Sequence, residues 1–236
     1  MAVERRGRLA RRTALSAGGS ALLVLVLAQV FLPRIAADRV RSKLGRYGTV
    51  GAVSVSAWPA IELLWGKADS LTIHARSLTL STFQIASLLA QVRGFTDVTV
   101  HAGRVTLRAP QLASGVSVSD ARVFKRGSSV TASSTVTQAQ LDGALPGGLA
   151  VQPLRSGPEG VSVRAGGALF GIGASIDVLV RPLEGNIVAE PEGVPFASLA
   201  SLTVFSDAHL KVQRLALDGI GSPSSTYSVS VWAKIG

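Results

Sequence analysis

The chain contains no cysteine. Its fold must therefore be held by packing without disulfides, and thiol catalysis and thiolate metal sites are excluded. Aromatic residues make up only 5%, so any large apolar surface is lined by aliphatic side chains, and base-stacking platforms for single-stranded nucleic acid are few. Histidine is scarce: His74, His101 and His209 are the only three. There is no HExxH pair, no histidine–carboxylate cluster at ligand spacing and no GxSxG nucleophile elbow. Acidic residues are few and scattered, 14 against 24 basic ones, and none forms an obvious carboxylate dyad. Gly166-Gly167 and Gly171-x-Gly173 do not lead into a capped helix, and read as bends in a strongly curved strand rather than a dinucleotide loop. The expectation is no catalytic residue, no metal and no cofactor. A triad assembled from distant residues stays open as an alternative.

What is present begins at the N-terminus. Arg5, Arg6, Arg8, Arg11 and Arg12 run straight into Thr13–Leu32, twenty residues without a charge. At about 1.5 Å per residue this is one membrane thickness of helix, and the arginines should stay on the cytoplasmic side. Ser16, Gly18, Gly19 and Ser20 dilute the first half, and Gln29 is the one polar residue in the second. A cleaved signal peptide shares this layout, but no clean small-x-small site lies at Leu27–Phe31. An uncleaved anchor is the preferred reading and a signal peptide, including a twin-arginine one at Arg11-Arg12, the alternative. The chain after Pro33 is then extracytoplasmic, or secreted if the segment is cleaved.

Net charge is +10; the first twelve residues hold five arginines and one glutamate, a net +4, which leaves +6 beyond them. A basic exported domain points to anionic lipid head groups or wall polyanions. Nucleic acid is not expected, because the topology puts the domain outside the cytoplasm and no aromatic–basic interleaving accompanies the charge. The predicted organisation is a basic segment 1–12, an anchor or signal 13–33, a basic helix or linker 34–48 and a β domain 49–236. Ile35–Leu44 places Ile35, Val40 and Leu44 near one helical face, with Arg39, Arg41 and Lys43 largely elsewhere. It reads equally as an interfacial amphipathic helix or an ordinary linker helix ended by Gly45 and Gly48.

From Val50 onward the hydrophobic period becomes two. Leu71, Ile73 and Ala75 alternate with Thr72, His74 and Arg76, and Val98–Ala102 repeats the pattern before Val105 and Leu107. Alternation of this density predicts long antiparallel strands with one apolar face each. Turns are expected at Gly94, Ala102-Gly103, Ser114-Gly115 and Arg126-Gly127. Leu71–Leu80 and Val98–Leu107 form a weak internal repeat offset by 27 residues. Helices are predicted over Phe83–Val92, capped by Ser81 or Thr82, and over Thr137–Leu145. The expected fold class is mostly β with a few helices (α+β): a long, strongly curved antiparallel sheet wrapping helices around an apolar groove, after an N-terminal transmembrane helix.

One greasy face per strand must be covered, and it forms either a core or a groove lined by aliphatic side chains. In the groove reading Leu71, Ile73, Val98, Val100, Val105 and Leu107 line it. Trp58 and Trp65 share a short non-alternating stretch with Ile61, Leu63 and Leu64 and mark a groove mouth, a membrane-touching loop or ordinary core. Arg76, Arg104, Arg108, Lys125 and Arg126 are the candidates to meet an anionic head group. His74 and His101 could bind phosphate together if their strands pair.

In order of elements the chain resembles the LmeA-like phospholipid-binding family of actinobacterial exported proteins. The resemblance rests on the anchor, on Ala37-Asp-Arg-Val-Arg-Ser-Lys-Leu-Gly45 and on the turn with Trp58, Pro59, Leu63, Leu64 and Gly66. It extends through Asp69–Ala75, Phe124–Gly127, Thr135–Leu141 and Glu190–Gly193. It implies a fold similar to tubular lipid-binding proteins, with anionic phospholipid or glycolipid and the membrane as partners, and envelope lipid or lipoglycan assembly as the setting. It implies no catalytic residue. A structural ectodomain without lipid cargo and an envelope hydrolase or transferase are the alternatives; protein partners are not indicated.

Overall fold

The computed structural model describes residues 29, 31–108, 115–144, 150–169, 172–193, 201–220 and 225–236. The predicted anchor lies almost wholly outside them. Among the described residues no helix is long and apolar enough to cross a membrane.

Helix α1 covers residues 31–44. It passes through Pro33 without a break, where the sequence suggests a start at Ile35. Pro33 falls in the first turn of this described stretch, where its missing N–H leaves no intrahelical bond unmade. Ala36, Ala37, Val40 and Leu44 pack against the sheet. Gly45 donates to the Arg41 carbonyl (2.9 Å) and closes the helix.

The chain then forms β1 (Gly48–Ser56), a 3₁₀ turn (Ala60–Trp65), β2 (Ala68–Ser81), α2 (Thr82–Gln91) and β3 (Phe95–Arg108). Next come β4 (Val116–Arg126), β5 (Ser129–Thr137), α3 (Gln138–Ala144) and β6 (Ala150–Ser156). After these follow β7 (Val161–Leu169), β8 (Ile172–Leu183), β9 (Asn186–Pro191), β10 (Leu202–Phe205), β11 (Leu210–Ile220) and β12 (Thr226–Ile235). The predicted helices are present, and each opens on a reciprocal cap. The Gln84 amide donates to Ser81 Oγ (3.3 Å) while Ser81 N–H donates to Gln84 Oε1 (2.8 Å). Thr137 and Gln140 repeat the arrangement at α3, each pair satisfying an orphan amide of the first turn.

The protein is mostly β, as the alternation predicts, but in two sheets instead of one. A seven-stranded sheet runs β1-β2-β3-β4-β5-β12-β11, and a five-stranded sheet runs β10-β9-β8-β7-β6. Among the described residues neither closes into a barrel. They meet along β11, where Leu217 N–H donates to Ser156 Oγ (3.0 Å) and Val212 N–H donates to the Gly185 carbonyl (2.8 Å).

One pair departs from the expected antiparallel pattern: β2 and β3 are parallel. Parallel neighbours need a crossover of about a dozen residues, which α2 and its flanking turn supply. The register explains the internal repeat. Ile73 pairs with Val100, His74 with His101 and Leu80 with Leu107, so residues 27 apart in the chain lie side by side in space. Ala102-Gly103 is not a turn, since β3 runs through it. Apolar positions change parity there and at Arg76-Ser77, yet Ala75, Leu78, Ala102 and Val105 pack in one cluster. The parity change is therefore a kink that keeps the apolar side chains together. The Gly94 turn is sterically required: a Cβ there would lie 2.2 Å from the Gly66 carbonyl oxygen.

The core is uneven, and this can be measured. Leu71, 2% exposed, sits under α1 and α2, whereas Val231 on β12 is only half-buried. Leu71→Ala should lower the unfolding free energy by about 2–4 kcal/mol, and Val231→Ala by about 1 kcal/mol. Denaturant titration of the full chain in detergent, followed by circular dichroism, compares the two; equal losses would mean that both positions are equally filled.

Candidate functional site

Strand registers place the apolar side chains of the large sheet in rows that cross it. The first row contains Val55, Leu71, Val98, Lys125, Val130, Ala233 and Val212, one residue from each of the seven strands. All seven are buried. The second row is Val53, Ile73, Val100, Val123, Ala132, Val231 and Leu215. Here Ile73 alone is buried, and the other six are half-buried. A third row is built from small residues, Ala75, Ala102 and Ala121, and beyond a register shift between β4 and β5 it continues as Ser134, Val229 and Leu217.

Ala36, Ala37 and Val40 of α1, together with Leu63, Leu88 and Val92, pack against the β1–β3 end. From Val100 through Val123, Ala132 and Val231 to Leu215 the aliphatic surface is incompletely covered. Four inter-strand steps make this strip about 19 Å long. Its lining contains no aromatic and no charged side chain.

The sequence-predicted residues divide on this geometry. Leu71, Ile73, Val98 and Val105 are buried in the packed core. Val100 and Leu107 are half-buried, and Val100 stands at one end of the strip. Trp58 and Trp65 are not in the strip: they are 75% and 69% exposed, on the turn between β1 and β2. Val123, Ala132, Val231 and Leu215 complete the strip and were not singled out from sequence. Their alternation was visible, but which strands adjoin β3 was not.

The basic candidates do not converge. Arg126 pairs in register with Asp97 at the start of β3, and Arg108 ends that strand. Eleven residues separate the two positions, about 36 Å of extended chain. Arg76 and Arg104 lie near one another at the kink, because Ser77 is the partner of Arg104; both are exposed. Lys125 is buried, 5% exposed, and its ammonium donates to the Phe95 carbonyl.

Behind the strip the other face of the sheet is polar. His74 and His101 stack with ring centroids 5.1 Å apart, and Phe124 meets His101 edge-on at 5.8 Å. Arg122 is the next register partner. The strands carrying the two histidines therefore pair, the condition set for a shared phosphate contact. On the same sheet Arg214 lies over Trp232, 5.0 Å from the ring centroid. Among the described residues no group of three His, Asp or Glu side chains could hold a metal ion.

A separate cleft of about 420 Å³ lies between the sheets, lined by Gln138, Val151, Gln152, Arg164, Ser175 and Tyr227 among others. Gln138 Nε2 donates to Asp142 (2.8 Å) and to the Val151 carbonyl (2.5 Å), while its buried Oε1 has no partner among the described residues. Arg164 and Asp177 form a two-bonded ion pair at 2.7 and 3.0 Å. The hydrogen bond from Arg164 holds the Asp177 carboxyl below its ordinary range.

Comparison with protein-family models, curated proteins and solved structures finds no match for this chain.

Lys125 yields a pH test. Burial lowers its pKa below the ordinary 10.5, and Asp97 opposes the shift in part. Between the lowered value and 10.5 the unfolded chain binds the proton more tightly, so stability rises with pH. Below that window the lysine is charged in both states and its desolvation weakens the fold. Thermal melts across the alkaline range should show this rising slope in the wild-type chain and lose it in Lys125→Met.

Proposed function

We propose that this protein is a membrane-anchored, extracytoplasmic binder of anionic phospholipid or glycolipid, and that the half-buried aliphatic strip of the large sheet receives the acyl chain. The observation that carries this reading is the strip itself. It is smooth, uncharged and about 19 Å long, against about 15 Å for one leaflet's share of a hydrocarbon core about 30 Å thick. Burial of each methylene is worth about 0.8 kcal/mol, so a sixteen-carbon tail could gain on the order of 10 kcal/mol before ordering costs. The scarcity of aromatics suits a flexible tail and not a ring. In this reading the curved sheet and its helices form an open groove. The resemblance to the LmeA-like family agrees with this assignment and supports a role in envelope lipid or lipoglycan assembly. The twenty uncharged residues behind an arginine cluster support the anchor.

The test is photo-crosslinking with phosphatidic acid that carries a diazirine in its acyl chain. The full chain in vesicles should crosslink through peptides of β3, β4, β5 and β12. Val123→Asp places a charge in the strip and should reduce that crosslinking by about tenfold or more, a loss of 1.4 kcal/mol. Crosslinks confined to the N-terminal apolar segment would overturn the lipid-binding assignment while leaving the anchor in place.

A further inference from the structure

The turn between β1 and β2 is strongly apolar and faces outward. Trp58, Leu64 and Trp65 are 75%, 66% and 69% exposed. Side chains of this size are seldom left in water together, and a contiguous patch of them marks a contact surface. The turn is well built. Asp69 accepts the Trp58 amide (2.7 Å), the amides of Gly66 and Lys67 bond back to Leu63 and Glu62, and Gly66 takes the left-handed conformation that ends the 3₁₀ turn. The tryptophans are therefore displayed by an ordered scaffold.

What covers them is indicated by Gln29. This side chain is the lone polar group in the second half of the apolar segment, and both ends of its amide are spent on the turn. Ala60 N–H donates to Gln29 Oε1 at 2.7 Å, and Gln29 Nε2 donates to the Ala57 carbonyl at 2.9 Å. Gln29 lies three residues before the end of the uncharged stretch at Leu32, about 4.5 Å along a helix. If that stretch spans the bilayer, a turn hydrogen-bonded to Gln29 is held at the level of the head groups. Phe31 and Ile35 on α1 are exposed there as well. Head-group depth is where tryptophan partitions best, since its ring is apolar and its N–H needs a wet partner.

We infer that the Trp58–Trp65 turn is a second membrane contact, bedded in the outer-leaflet interface and locked to the anchor by Gln29. This rests on the anchored reading above. It fixes the base of the large sheet against the bilayer, so that a lipid leaving the leaflet enters the protein near β1–β3. Glu62, Lys67 and Asp69 put charges of both signs around the patch, so lipid charge should matter little to it.

The experiment uses the full chain in phosphatidylcholine vesicles, some brominated near the head group, with flotation as a check on anchoring. Trp58, Trp65 and Trp232 are the only tryptophans, and Trp232 lies four strands from β2. Shallow bromines should quench the wild-type emission, about twofold, and Trp58→Phe with Trp65→Phe should remove most of that quenching while flotation persists. Gln29→Leu should float but lose part of the quenching, because the turn is no longer tied to the interface. Flotation without quenching, or quenching that survives the double substitution, overturns the interfacial turn and leaves the anchor standing. Failure to float overturns both.

Discussion

The structure depends on one row of buried side chains. Val55, Leu71, Val98, Lys125, Val130, Ala233 and Val212 cross all seven strands of the large sheet at one level. Every strand contributes a side chain that water does not reach, so the row sets the register of the whole sheet. A slip of one residue in any strand would turn its apolar set to the opposite face. Lys125 at the centre is the exception that shows the strength of the constraint. Its charge is retained in the buried row because its ammonium finds the Phe95 carbonyl, and its stem covers apolar neighbours as a hydrocarbon would.

Helices α1 and α2 pack over the β1–β3 end of the large sheet, α2 being contained in the crossover of the parallel β2–β3 pair. On β4, β5, β12 and β11 the first row, Lys125, Val130, Ala233 and Val212, is buried, and the second row, Val123, Ala132, Val231 and Leu215, is half-buried. The proposed lipid strip is that second row. The turn with Trp58 and Trp65 belongs to the β1–β3 end, where Gln29 is hydrogen-bonded to it. Gln29, turn and helix cover are gathered at one end of the large sheet, and the half-buried strip leads away from it.

Much of this was legible from local pattern. The period of two announced strands with one apolar face, and the periods of α2 and α3 with their Ser81 and Thr137 caps announced helices. Gly127 marked a hairpin. Three features were not legible. The repeat of Leu71–Leu80 in Val98–Leu107 was visible, but not that its two copies are parallel neighbours paired residue for residue. Ala102-Gly103 suggested a turn but is a kink within β3, because β2 and β4 hold the strand on both sides. Lys125 looked like a surface cation, since its burial depends on Val98 and Val130 from other strands.

The sequence by itself determined the class of the protein and its chemistry: strands with one aliphatic face, no thiol, few rings, a basic balance and a long uncharged segment behind arginines. These follow from side-chain properties and short-range periodicity, which each residue carries wherever it is placed. Tertiary structure alone decided which strands adjoin, that there are two sheets, and which part of the apolar face is left open. It also decided that Gln29, isolated in a greasy segment, spends both ends of its amide on a turn some thirty residues away. Contacts of that kind arise only when distant segments of the chain are brought together, and no local pattern records them.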